Sequence, residues 1–258
     1  MTKLPAGTLS KVPEVTLGFW VIKVLSTTLG ETGGDSVTMS MHLGYAIGSL
    51  IFIGIFAAAV VAQIFAKAFH PFLYWVTIVA TTTLGTTMAD FADRSLGIGY
   101  FGGSSILFAG LIASLAIWRW SEGSISVNTV ATPRVEMFYW VAILFSQTLG
   151  TALGDWMADT NGLGYEGGAV VFAAGLAVVA AAYFYTKISH TLLFWAAFIL
   201  TRPLGATLGD LLDKSHAHGG LEISRYVASG FLAAIIVALI LILPQRAGAH
   251  PGAREEKA

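Results

Sequence analysis

The chain has 258 residues, of which 55% are hydrophobic and only 11% charged, with a mean hydropathy of +0.74. An ordinary soluble domain is about 25% charged, so a water-soluble globule is excluded. Lys and Arg number 14 against 15 Asp and Glu, which leaves no basic excess to hold nucleic acid, and the absence of cysteine removes disulfides, thiolate metal sites and cysteine nucleophiles.

In chain order, Lys3 and Lys11 precede a span too polar to be the apolar core of a cleavable signal, so none is expected. The first predicted helix carries Trp20 and, fifteen residues later, Asp35; a Gly-rich turn and an uncharged span, 43–66, follow. The same order returns with Trp75, Asp90 and the uncharged span 98–117. After a polar segment, 121–134, it returns twice more, with Trp140, Asp155 and 167–186, then with Trp195, Asp210 and 227–243. Each uncharged span is close to the roughly 20 residues that a helix needs to cross a hydrocarbon core. The expected fold is therefore all-α and polytopic, with eight transmembrane helices arranged as four two-helix repeats.

Four copies align without gaps. Between Trp and Asp stand Leu29, Leu84, Leu149 and Leu204, then Gly30, Gly85, Gly150 and Gly205; just before the Asp is Gly34, Ala89, Gly154 or Gly209; nine residues after it come Gly44, Gly99, Gly164 and Gly219. The aspartates are spaced 55, 65 and 55 residues apart, and Pro13, Val15 and His70 recur 120 residues on as Pro133, Val135 and His190. The unit has doubled twice, which divides the chain into a first half, 1–120, a linker, 121–134, a second half, 135–245, and a polar tail, 246–258. Two spans per repeat make the repeats parallel. The face carrying the termini and inter-repeat loops then holds nine Lys/Arg (Lys3, Lys11, Lys67, Arg119, Arg134, Lys187, Arg246, Arg254, Lys257) against three on the other (Arg94, Lys214, Arg225). This asymmetry predicts cytoplasmic termini.

At 1.5 Å per residue each aspartate stands roughly 22 Å along the helix from its Trp. With the Trp anchored at the inner interface, the carboxylate would lie in the outer third of a core about 30 Å thick. Ionisable groups at that depth normally face a bundle interior and serve function. Counting back by fours from each Asp traces a polar stripe on one helix face: Glu31, Thr86, Thr151 and Ala206 four back, Thr27, Thr82, Gln147 and Arg202 eight back. These stripes should converge, with the four first helices lining a pathway and the four apolar second helices outside. The Gly and Gly/Ala four residues apart read mainly as helix-packing positions.

Asp35, Asp90, Asp155 and Asp210, with Glu31, are the candidate metal ligands, because carboxylates, Thr hydroxyls and carbonyls suit Mg, Ca or Mn. Crowded carboxylates repel, so such a cluster binds protons or metal ions. A structural alternative is that an Asp beside Gly at a helix end satisfies turn amides. Asp93, Asp159 and Asp213 lie three or four residues past their motif Asp as possible pathway-lining groups. Ten of the fifteen acidic residues, these with Glu166 and Glu222, fall in the motif or outer turns. Lys23 either snorkels to the inner interface or, with Arg202, couples charge. Arg202, deeper and before Pro203, should pair with a carboxylate or guard the pathway. His42, His216 and His218 are candidates for an outer metal site, though loop histidines are commonly just solvated. Tyr45, Tyr100 and Tyr165 read as interfacial aromatics.

On these residues the chain resembles a bacterial family known as uncharacterised membrane-anchored proteins, built from four copies of a short repeat of unknown function. The resemblance covers about 20–243 and implies a bacterial inner-membrane protein. Locally, Glu31-Thr-Gly-Gly-Asp35-Ser36 is similar to the ExGD motif of a family of Ca/Mn cation–proton exchangers, with one Gly inserted. The expected function is transport of a hard divalent cation, Mn-like, by proton-coupled export, with the ion as substrate and no bound cofactor; the partners are the lipid bilayer, the cation and protons. A cation channel, a carrier of an anionic or organic solute held by Lys23 and Arg202, and a purely structural membrane protein are the alternatives. An enzyme is not expected: a GxGD aspartyl protease needs Gly three before the Asp, where Thr32, Thr87, Ala152 and Thr207 stand, and no GxxxxGK[ST] phosphate loop occurs.

Overall fold

The computed structural model describes residues 9–249. Among the described residues are eight long helices: α1 (Leu17–Asp35), α2 (Gly44–Phe65), α3 (Pro71–Asp90), α4 (Tyr100–Glu122), α5 (Pro133–Asp155), α6 (Gly164–Tyr185), α7 (His190–Asp213) and α8 (Arg225–Ile242). Seven of them are long and apolar enough to cross a membrane; α1 is the exception, with Lys23, Glu31 and Asp35 inside its 19 residues. The protein is an all-α polytopic membrane protein of four two-helix repeats.

Local chemistry sets the helix ends. Pro71 and Pro133 open α3 and α5 at positions where a missing N–H costs nothing, and the side chains of Thr16 and Thr132 cap α1 and α5 by accepting from Phe19 and Val135 amides. After the motif aspartate in the first three repeats the helix widens into one π turn, Ser36–Ser40, Phe91–Ser95 and Trp156–Thr160, a rare form that concentrates at functional sites. The chain then reverses through the motif glycine, whose φ is +74° at Gly44, +76° at Gly99, +65° at Gly164 and +82° at Gly219. A side chain is strained there, which explains why this position is Gly in every repeat.

The odd-numbered helices form a closed ring in the order α1, α3, α5, α7, with α7 packed back on α1. Each outer helix leaves its own repeat and packs on the inner helix of the next: α2 on α3, α4 on α5, α6 on α7, and α8 on α1, which closes the circle. The second motif glycine group explains the tight ring. A Cβ on Gly30 would strike Thr82; on Gly85, Gln147; on Gly150, Arg202; on Gly205, Thr27, all at 2.9 Å or less. In each case the glycine receives the stripe residue of the following repeat, so the packing role expected for these positions holds. The outer helices leave large apolar side chains such as Leu50, Phe101, Val178 and Phe231 exposed, a liability in water but the surface a bilayer requires.

The described ends and the middle linker meet at one face, as an even number of spans demands. Ser10 N donates to Gly248 O at 2.9 Å, Gly248 N to Val12 O at 2.8 Å and Lys11 N to Val130 O at 2.7 Å. Lys11 also bridges Glu136 of α5 at 2.6 Å. Lys3, Arg254 and Lys257, part of the charge asymmetry, lie outside the described residues, as does most of the 246–258 tail.

Three of the four motif tryptophans turn inward. Trp75, Trp140 and Trp195 are buried, packed edge-on with Tyr74, Tyr139 and Phe194, and the indoles of Trp75 and Trp195 donate to Gln245 and to the Ile125 carbonyl. They fill the linker-face end of the ring, where large rings supply the volume that a close-packed interior needs.

Candidate functional site

The stripes converge on the ring axis and stack there in five layers spaced one helical turn apart. From the linker face these are Phe19, Tyr74, Tyr139 and Phe194; then Lys23, Ile78, Ile143 and Phe198; then Thr27, Thr82, Gln147 and Arg202; then Glu31, Thr86, Thr151 and Ala206; and last the motif aspartates. Every one of these side chains is buried. Their axial position follows from contacts across the ring. Arg202 on α7 donates through Nη2 to Glu31 on α1 at 2.9 Å, to Thr86 on α3 at 2.6 Å and to Thr151 on α5 at 2.5 Å, so one guanidinium touches all three other repeats.

The aromatic layer closes the axis from below. Tyr74 and Tyr139 join hydroxyls at 2.7 Å, and Phe19 packs on Tyr74 and Phe194 with ring centroids 6.5 and 6.2 Å apart. Lys23 does not snorkel. It is fully buried, donates to Gln147 Oε1 at 3.3 Å and lies 4.2 Å from the Phe198 ring centroid, because its helix face points to the axis rather than to the interface. Thr27 is spent on carbonyls of its own helix and of Thr201, and Thr86 also reaches Glu31 at 3.3 Å.

At the opposite end the four aspartates are bound in pairs by two cations. Lys214 bridges Asp35 and Asp210, the latter at 3.0 Å, with Asp213 at 3.9 Å. Arg94 bridges Asp90 at 2.9 Å and Asp155 at 3.3 Å. Each cation therefore joins the even repeat that carries it to the next odd one. Lys214 follows the end of α7; burial alone would lower its pKa, but Asp210, Asp35 and Asp213 together outweigh that and hold it well above the ordinary lysine value. Arg225 completes the edge, 3.1 Å from Asp213 and 3.8 Å from Asp35. Neither Arg94 nor Lys214 stands out in a search for recurring acids, yet a signal exists. Both even repeats read Asp-x-x-Asp followed by a base, Asp90–Asp93–Arg94 and Asp210–Asp213–Lys214, where the odd repeats have Met39 and Asp159.

One group of carboxylates, among the described residues, is placed to share an ion: single oxygens of Glu31, Asp35 and Asp210 lie within 4.8 Å of one another. Asp90 and Asp155 sit across the ring with Arg94 between them. Asp93 is buried without a partner for Oδ1, while Asp159 is exposed and accepts from the Tyr100 hydroxyl at 3.3 Å, which gives Tyr100 a polar partner beyond the interfacial role. Tyr165 is buried. His42, His216 and His218 are not drawn into a common group. His218 Nδ1 bonds Ser215 and His216 Nδ1 bonds the Gly220 carbonyl, and His42 occupies the turn with φ +56°.

Comparison with known proteins gives a family match. The family model described as Repeat of Unknown Function (DUF347) fits four times, over residues 18–69, 73–124, 138–189 and 193–245, each copy covering one inner helix, its outer turn and the following outer helix. No curated protein and no solved structure matches the chain.

Proposed function

Because the chain belongs to the family that this repeat defines, a family whose description carries no activity, we propose its function from the chemistry of the axis: export of a hard divalent cation of the Mn class across the bacterial inner membrane, in exchange for protons. The observation that carries the reading is the convergence of Glu31, Asp35 and Asp210 oxygens within 4.8 Å. Two ligands on opposite sides of a hard dication stand about 4–5 Å apart, so this spacing suits one ion with an all-oxygen donor set. Glu31 exists in the first repeat alone, and it makes the axis asymmetric just where these oxygens meet.

Lys214 holds two of the three carboxylates and stands in for the substrate's charge when the ion is absent. An arriving dication displaces the ammonium and any proton on the carboxylates. Arg202, bonded to Glu31, keeps the net negative charge low enough for release. The aromatic layer seals the linker-face side, which favours a carrier over an open pore. With the termini in the cytoplasm, as the Lys/Arg asymmetry indicates, the ion site faces the periplasm.

The test is transport by proteoliposomes with a pH dye inside. Metal flux should carry protons the opposite way, and apparent metal affinity should fall between pH 8 and pH 5, roughly tenfold per unit for each proton displaced where it titrates. Metal flux indifferent to an imposed pH gradient would leave the channel reading in its place. For sidedness, single cysteines at Asn161 and Ser215 should react with an impermeant thiol reagent on intact spheroplasts; labelling at Ser124 instead would invert the orientation.

A further inference from the structure

One layer below the carboxylates the axis carries the opposite problem. Arg202 spends Nη2 on Glu31, Thr86 and Thr151, while Nε and Nη1 meet no acceptor, and neither does Gln147 Nε2; all are buried. Between them these atoms hold five N–H donors. Lys23 adds a buried amine nitrogen with a single hydrogen bond, to Gln147 Oε1, and the Thr82 hydroxyl on the same axis is also unpartnered. Buried donors go unpaired only rarely, and an unmatched buried cation is costlier still. Arg202 and Lys23 together face one carboxylate, Glu31, through one nitrogen of Arg202.

We propose that a small monovalent anion of the halide class binds on the axis between this layer and the Lys23 layer beneath it, held by Arg202, Gln147 and Lys23. The donor set is the argument for an anion: free guanidinium and amide N–H groups and the Lys23 amine lie in adjoining layers of one axis, and Lys23 has no carboxylate partner. The size argument selects a halide over an organic acid, since the layer is a single helical turn tall, about 5 Å, between Phe198 with its neighbours below and the Glu31 layer above. The site does not depend on the cation reading; it would stand if the upper carboxylates carried only protons.

The experiment is binding of radiolabelled chloride to the purified full chain in gluconate buffer, read by scintillation proximity beside thermal unfolding. Saturable binding of one chloride per chain is expected, competed by bromide and accompanied by a rise in melting temperature on replacing gluconate with chloride. Arg202→Met and Lys23→Met should each weaken it by about tenfold or more, whereas Lys187→Met, at an exposed site, should leave it unchanged. Lys23 has no carboxylate partner, so Lys23→Met is expected to fold even where Arg202→Met does not. Absence of saturable binding together with an unchanged melting temperature would mean that water alone serves these donors and would overturn the proposal. So would full-strength binding in Lys23→Met.

Discussion

The two ends of the ring axis are built from the same helix faces, sixteen residues apart, and solve opposite problems. At the linker face Phe19, Tyr74, Tyr139 and Phe194 fill the axis by contact, and the two hydroxyls satisfy each other at 2.7 Å. At the turn face four aspartates are matched by Lys214 and Arg94, with Asp35 Oδ1 and the neighbouring Asp213 Oδ1 still short of a hydrogen bond. An apolar plug reaches its best state with every atom in contact. A charged layer is left with surplus capacity, and that surplus is what an arriving ion can use. One end is a floor and the other the proposed ion site, because packing saturates and charge does not.

The contrast can be broken most sharply at the carboxylates. Asp35→Asn and Asp210→Asn keep volume and remove charge, so each should abolish metal-dependent transport in proteoliposomes while leaving folded protein in the membrane; normal transport in both would remove the site from that end of the axis. Next in size is Glu31→Gln, which strands the buried Arg202 without its carboxylate and should lower unfolding stability by about 3–5 kcal/mol. A loss under about 1 kcal/mol would mean that Thr86 and Thr151 suffice to hold the guanidinium.

The ring itself supplies a third comparison. Gly85→Ala sets a methyl 2.9 Å from the Gln147 carbonyl carbon and the Thr148 nitrogen, backbone that cannot turn aside, and should cost roughly 1–3 kcal/mol. Gly33→Ala, with open space around it, should be neutral or slightly stabilising, since alanine is the better helix former by about 1 kcal/mol. Equal melting temperatures for the two variants would contradict the close crossing. The smallest effect belongs to the floor: Tyr74→Phe removes one hydrogen bond and should cost about 1 kcal/mol with transport intact. A large transport defect there would make the aromatic layer part of the ion's chemistry rather than its boundary.

Much of this was legible in the residues. The period-four stripe behind each aspartate predicted a shared interior, and Arg202 was expected to find a carboxylate because a lone guanidinium at that depth is too costly. The sequence leaves the direction of Lys23 and of the tryptophan rings open for one reason: distance along a helix locates a residue in depth but not whether it looks outward to the interface or inward to the axis. From the sequence, Arg94 and Lys214 enter only the count of bases on the outer-turn face. They matter to the site because the π turn and the end of α7 bring the fourth residue after the aspartate back over the axis, a geometry that no spacing rule conveys.

By itself the sequence determined the class, the four repeats, their parallel sense and the polar stripe, since each follows from local periodicity and from the cost of placing charge in hydrocarbon. The tertiary structure alone decided which repeat touches which. The outer helix packs forward onto the next repeat, and a single arginine reaches Glu31, Thr86 and Thr151 on three different helices. The physical reason is that these contacts join residues 51 to 171 positions apart, and their partners are selected by the closure of the ring, a property of all eight helices together that no one repeat contains.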